Sequence, residues 1–206
     1  MAIPLGPGMS DGTGPQIVRT ADDQVLLFGY KMATGFIYVY RAQGLPNTSA
    51  DFSTLATLTL PNGSVTTLNT LYDGGGYVYM PVLTTNGTVL VYVFDLAAGS
   101  FKAPLTLATN ARSILGNTLY AGTVGLSSAF DQFGTLQLAF WTNADRIAHC
   151  AVTVDAAGAL RPGTADLVAG RDLARAFVRF AGARLSGLGL AETTGEARIA
   201  VFNPFR

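Results

Sequence analysis

A strand–turn–strand pattern that recurs four times constrains this chain more than any other feature. Val25 to Tyr30 turns at Thr34-Gly35 into Phe36 to Tyr40. Tyr77 to Leu83 turns at Asn86-Gly87 into Val89 to Phe94. Leu136 to Trp141 turns at Asn143-Ala144-Asp145 into Ile147 to Val154, and Leu188 to Leu190 turns at Thr194-Gly195 into Ala197 to Phe202. The turn positions Gly35, Gly87, Asp145 and Gly195 are 52, 58 and 50 residues apart. Apolar runs of strand length bounded by Gly, Asn and Asp read as hairpins, and a period near 50 residues is that of propeller blades. The predicted fold is therefore all-β: a small β-propeller of about four antiparallel sheets, with a β-sandwich or jelly roll as the alternative arrangement of the same hairpins.

The pattern divides the 206 residues. Residues 1–14, rich in Gly and Pro, read as an extended arm. Residues 15–206 read as one all-β domain of four units, 15–60, 65–108, 117–168 and 174–206. The second and third units agree best, down to the turns Asp95-Leu96-Ala97-Ala98-Gly99 and Asp155-Ala156-Ala157-Gly158 after their hairpins. The fourth has no outer strand of its own. A closed ring must protect its last sheet edge, and the arm, through Ile3 and Leu5, is the expected source of the missing strand. Helical signal is confined to residues 171–177, where Arg171, Arg175 and Arg179 are spaced for one helical face, although Ala176 to Phe180 alternates equally well as a strand.

Charge is sparse, 13% of residues with a net of zero, which removes the basic footprint of a nucleic-acid binder. The sign is uneven: six Lys/Arg against nine Asp/Glu before Arg161, and seven Arg against four acids from there on. An Arg-rich C-terminal quarter of this kind is either a solvated face or a docking surface for an acidic partner. No apolar run reaches the length of a spanning helix, and the N-terminal residues lack the charged and apolar regions of a secretory signal. Cys150 is the only cysteine, so no internal disulfide is available.

Chemistry-bearing motifs are few. Asp22, Asp23, Asp73 and Asp131 each precede the first strand of a hairpin, and Asp95 and Asp155 each follow the second. Asp initiates turns by accepting backbone N–H groups two residues on, and that role is expected for all of them. The functional alternative places Asp22, Asp23, Asp73 and Asp131 as carboxylates on one rim, the candidate acids of a carbohydrate-active site. His149 and Cys150 are adjacent on a strand and point to opposite faces, so they do not form a nucleophile–base pair. A lone His does not build a zinc site. No phosphate-binding glycine loop is present. No catalytic, cofactor-binding or metal residue is assigned, and no cofactor is expected. Tyr30, Tyr38, Tyr40, Tyr72, Tyr77, Tyr79, Tyr92 and Trp141 lie on the hairpin strands. Most are expected in the core, and any near the hairpin tips could stack on sugar rings.

The segment Ser128-Ala129-Phe130-Asp131-Gln132-Phe133-Gly134-Thr135 resembles the Asp-box turn of sialidase-like propellers, with Ser128 and Gly134 each one residue further from Asp131 than in that pattern. The arginine triad and tyrosine nucleophile of those enzymes have no counterpart assignable from spacing. In composition and repeat style the chain resembles the β-rich virion proteins of tailed phages, of tail-fibre, receptor-binding or decoration type. That resemblance implies a non-catalytic structural or interaction module located in the virion. It would be oligomeric or part of a larger assembly, meeting other virion or scaffold proteins through the N-terminal arm and the Arg-rich quarter, without nucleic acid or membrane insertion. The alternative is a carbohydrate-active or lectin-like propeller acting on a surface glycan, as a soluble cytoplasmic or extracellular protein.

Overall fold

The computed structural model describes residues 15–31, 34–60, 65–111, 126–131, 133–143, 147–168, 173–181, 184–191 and 197–202. Every element among them is a strand, apart from one 3-10 turn at Ser49–Asp51. No helix among the described residues is long and apolar enough to cross a membrane.

The strands form four antiparallel sheets in chain order. The first contains β1 (Gln16–Arg19), β2 (Gln24–Lys31), β3 (Phe36–Gln43) and β4 (Ser53–Thr59), paired in that order. The second contains β5 (Val65–Leu68), β6 (Leu71–Tyr72), β7 (Tyr77–Thr84), β8 (Val89–Asp95), β9 (Ser100–Phe101) and β10 (Leu105–Ala108). Its order is β10-β8-β7-β5, with β6 also on β7 and β9 also on β8. The third is β11 (Leu126–Phe130), β12 (Leu136–Trp141), β13 (Ile147–Val154) and β14 (Leu160–Val168). The fourth is β15 (Leu173–Ala181), β16 (Arg184–Ala191) and β17 (Ala197–Phe202). Four separate sheets are present where a sandwich would have two.

Local chemistry explains the hairpins. Gly35 and Gly87 close β2–β3 and β7–β8 with φ of 71° and 80°, a region that costs other residues about 1–2 kcal/mol. At Gly87 space matters as well, because a Cβ there would stand 2.3 Å from the Ala111 carbonyl oxygen. Pro81 accounts for an irregularity in the second sheet. It lies mid-strand in β7 and has no N–H to donate. The neighbouring strand breaks opposite it: β5 pairs up to Leu68↔Val82, β6 resumes at Leu71↔Tyr79, and Asn69 N–H reaches the Pro81 carbonyl between them at 3.1 Å.

The sheets pack face to face. Alternation along β7 and β8 sends Val78, Met80, Val82, Leu90, Tyr92 and Phe94 to one face, where they meet Phe28, Ile37 and Val39 of the first sheet. Tyr79, Leu83, Val89, Val91 and Val93 go to the other face and meet Leu126, Leu136, Leu138 and Phe140 of the third. The second sheet is thus buried on both sides, which is why its strands read as nearly unbroken apolar runs. Edge-to-face ring pairs cross each junction, Phe28–Phe94 at 5.8 Å and Tyr79–Phe130 at 5.3 Å.

The helical reading of residues 171–177 is corrected. Residues 173–181 are β15, paired with β16 from Ala181↔Arg184 to Leu173↔Ala191. The competing alternation prevails because a following strand is available to take its backbone hydrogen bonds. The fourth sheet shows three strands. The arm at 1–14, expected to supply another, lies outside the described residues.

Candidate functional site

Three aspartates hold three turns by one device. At β6–β7, Asp73 Oδ1 accepts the N–H groups of Gly75 and Tyr77, at 2.7 and 3.2 Å. At β11–β12, Asp131 Oδ1 accepts those of Phe133 and Thr135, at 2.8 and 2.9 Å. At β13–β14, Asp155 Oδ1 accepts those of Ala157 and Ala159, at 3.0 and 2.9 Å. In each case the residues two and four positions on are bound, so one carboxylate oxygen satisfies two backbone donors that a four-residue turn leaves unpaired.

Because the second and third sheets stack, these turns stand side by side. They border a groove of about 630 Å³ whose lining includes Tyr72, Asp73, Tyr77, Tyr79, Phe130, Asp131, Phe133 and Asp155. Phe133, at the tip of the Asp131 turn, is 76% exposed. Tyr79 is 1% exposed, with its ring edge-on to Phe130. Its hydroxyl makes no hydrogen bond among the described residues, and burial, with Asp73, Tyr77 and Asp155 nearby, pushes its ionisation far above the ordinary tyrosine value. Tyr77 is fixed from two directions. Gly158 of the Asp155 turn packs so close that a Cβ there would lie 2.9 Å from the Tyr77 ring. Lys102 Nζ stands 4.5 Å from the ring centroid and donates to the Ala157 carbonyl.

Asp131 employs both of its carboxylate oxygens. Asp131 Oδ2 accepts the Gln137 side-chain amide at 2.9 Å, and Gln137 Oε1 lies 2.7 Å from His149 Nε2. With the Gln137 nitrogen committed to Asp131, its oxygen faces the imidazole, so His149 Nε2 is the donor. Gln137 and His149 are both buried, and this chain ties the rim to the interior. Asp73 Oδ2 and Asp155 Oδ2 accept no hydrogen bond among the described residues.

Of the expected rim acids, then, Asp73 and Asp131 come together and are joined by Asp155. Asp22 and Asp23 belong to the β1–β2 turn. Asp22 accepts the Thr20 hydroxyl and the Gln24 amide, and Asp23 pairs with Arg19 at the surface. That turn adjoins the rim through the Tyr72 hydroxyl, which donates to the Gly75 carbonyl and accepts the Ala21 N–H. Burial works to raise the Asp131 carboxyl, but hydrogen bonds from Thr135, Gln137 and Phe133 outweigh it and hold the group below the usual carboxylate range. That is the wrong direction for a proton donor in glycoside cleavage. No three or more His, Cys, Asp or Glu residues among those described are placed to hold a metal ion.

The aromatics divide evenly. Tyr30, Tyr79, Tyr92 and Trp141 are buried, while Tyr38, Tyr40, Tyr72 and Tyr77 are half-buried. Tyr38 and Tyr40 stack at 5.9 Å on β3, away from the groove. Phe133 was not singled out by the sequence, although a large apolar side chain inside an Asp–Gly turn is a signal of exposure. Cys150 packs in the second core, on the face of β13 opposite His149.

No family model matches the sequence, and no curated protein matches it. Among solved structures, the fold is similar to the bifunctional GH43-CE protein of Bacteroides eggerthii, with a TM-score of 0.52 at 12% identity. The match covers 98% of this chain and 28% of that one. The likeness is one of fold, and it is propeller-like. An uncharacterized protein from Listeria monocytogenes EGD-e gives a TM-score of 0.42 at 9% identity, over 93% of this chain and 63% of that one.

Proposed function

We propose that the chain is a glycan-binding β-propeller module whose four sheets close into a ring, and that the groove between the second and third sheets is its binding site. The observation that carries this reading is the gathering of Tyr72, Tyr77, Tyr79 and Phe133 with three carboxylates on one rim. Sugar rings offer apolar faces that stack on aromatics and hydroxyl edges that carboxylates accept. The fold likeness to a protein bearing a glycoside hydrolase designation supports the same direction. Binding without cleavage is favoured because Asp22, Asp73 and Asp131 serve local turn geometry and Asp131 is held ionised. The virion-component expectation rests on composition and repeat style, and no structural observation adds to it.

Titration against neutral, acidic and amino-bearing oligosaccharides tests the proposal. Phe133→Ala, which removes an exposed ring at no folding cost, should weaken binding about fivefold or more, and Tyr38→Ala on the distant β3 face should not. Failure of all three ligand classes to bind would overturn it.

A further inference from the structure

We propose that the ligand of this groove carries a positive charge, and that it is a glycan with free amino groups rather than a neutral or acidic one. This inference rests on the glycan reading above and adds the substrate class. Three carboxylates line the groove, and its described lining contains neither Lys nor Arg. An acidic sugar would be repelled by such a rim, and a neutral one would gain nothing from its charge. The acids do not consume one another's capacity. Each Oδ1 is spent on its own turn, whereas Asp73 Oδ2 and Asp155 Oδ2 remain without a donor among the described residues.

A second observation points to a ligand independently of the acids. Tyr79 is 1% exposed, lines the groove, and leaves its hydroxyl without a hydrogen bond among the described residues. The ring is buried, but the hydroxyl itself opens onto the groove, where a ligand group can take the place of water. Asp73 and Asp155 line the same groove as that hydroxyl. A protonated amine carries three donors, and the groove offers it carboxylate and phenol oxygens as acceptors. Ring faces attract ammonium groups; at Tyr77 the protein's own Lys102 takes one such place, 4.5 Å from the centroid, and the exposed Phe133 ring offers another.

The test is calorimetric titration of the full chain at about pH 6, where amino sugars are protonated and carboxylates ionised. The probes are glucosamine oligomers, the same oligomers N-acetylated, and oligolysine. The expected result is about tenfold tighter binding of glucosamine oligomers than of the N-acetylated series. That preference should disappear in the Asp73→Asn/Asp155→Asn double variant, in which the retained amide oxygens keep both turns capped. Melting curves verify that the variant is folded, and Tyr79→Phe, which removes no turn cap, provides a second variant that should also narrow the preference. Equal binding of the two sugar series overturns the charge inference and leaves the glycan reading standing. Oligolysine binding as tightly as the glucosamine oligomers overturns the amino-glycan assignment in favour of a peptide ligand. Absence of binding by both sugar series overturns the amino-glycan inference, and the glycan reading falls with it only if acidic oligosaccharides also fail to bind.

Discussion

At the scale of the residue, the groove contains side chains whose contribution to folding can be separated from their contribution to recognition. Tyr79 shows it best. A phenol hydroxyl that hydrogen-bonds within the fold contributes about 1 kcal/mol, but this one has no such bond among the described residues. Tyr79→Phe should therefore leave the denaturation midpoint unchanged within about 0.5 kcal/mol while weakening ligand binding. A clear loss of stability would assign the hydroxyl a structural role instead. Asp131 is the opposite case. Its folded carboxyl is held below the unfolded value of about 3.9, so it contributes stability that is fully present above that value and is lost as pH falls through the lower, folded one. Asp131→Asn should melt below the wild type at neutral pH, and the gap should close in acid once the wild-type carboxyl is protonated. Parallel melting curves at every pH would refute the assignment. The sequence reveals the turn role of these acids, because Asp before a glycine-bearing turn has a local cause. It does not reveal the Asp131–Gln137–His149 chain, because Gln137 and His149 sit on different strands and their spacing of 12 residues has no meaning until the register between β12 and β13 is known.

At the scale of the element, glycines that look alike in sequence differ in what surrounds them. Gly35 and Gly87 both close hairpins at positive φ, yet nothing lies within 4 Å of a Cβ built at Gly35, while one at Gly87 collides with the Ala111 backbone. Gly35→Ala should cost about 1–2 kcal/mol from backbone conformation alone. Gly87→Ala should cost distinctly more, because a carbonyl must move and the Ala111 N–H bond to Gly87 O at 2.9 Å is lost with it. Equal costs by chemical denaturation would contradict this difference. Pro81 teaches a related lesson. It stands inside an apolar run and has no N–H for a neighbouring strand; β7 continues through it and the neighbouring strand takes the break. Residues 173–181 were ambiguous for a similar reason. Helical spacing of arginines and strand alternation coexist there, and only the pairing with β16 decides between them.

At the scale of the whole molecule, the second sheet is shared by two cores, and neither can be lost without exposing it. Met80→Ala in the first core and Leu138→Ala in the second should each cost about 2–5 kcal/mol and lower one common unfolding transition; two separable transitions would show that the junctions fold independently. The strands, their turns and the unbroken apolar character of β7 and β8 were legible in the sequence, because each follows from neighbouring residues. The meeting of Asp73, Asp131 and Asp155 was not, since it depends on how one sheet is laid against the next, and no local spacing encodes that. The groove is a seam between two sheets, with Tyr77 of one gripped by the Gly158 turn of the other. Whatever lodges in the seam touches both and resists their splaying apart. Occupancy should consequently register as a slowing of amide hydrogen exchange at the β6–β7 and β13–β14 turns together, so that the protein becomes stiffer along one junction when loaded and a ligand acts as a clasp that adds to the packing and the Lys102–Ala157 and Asn69–Leu126 hydrogen bonds already there.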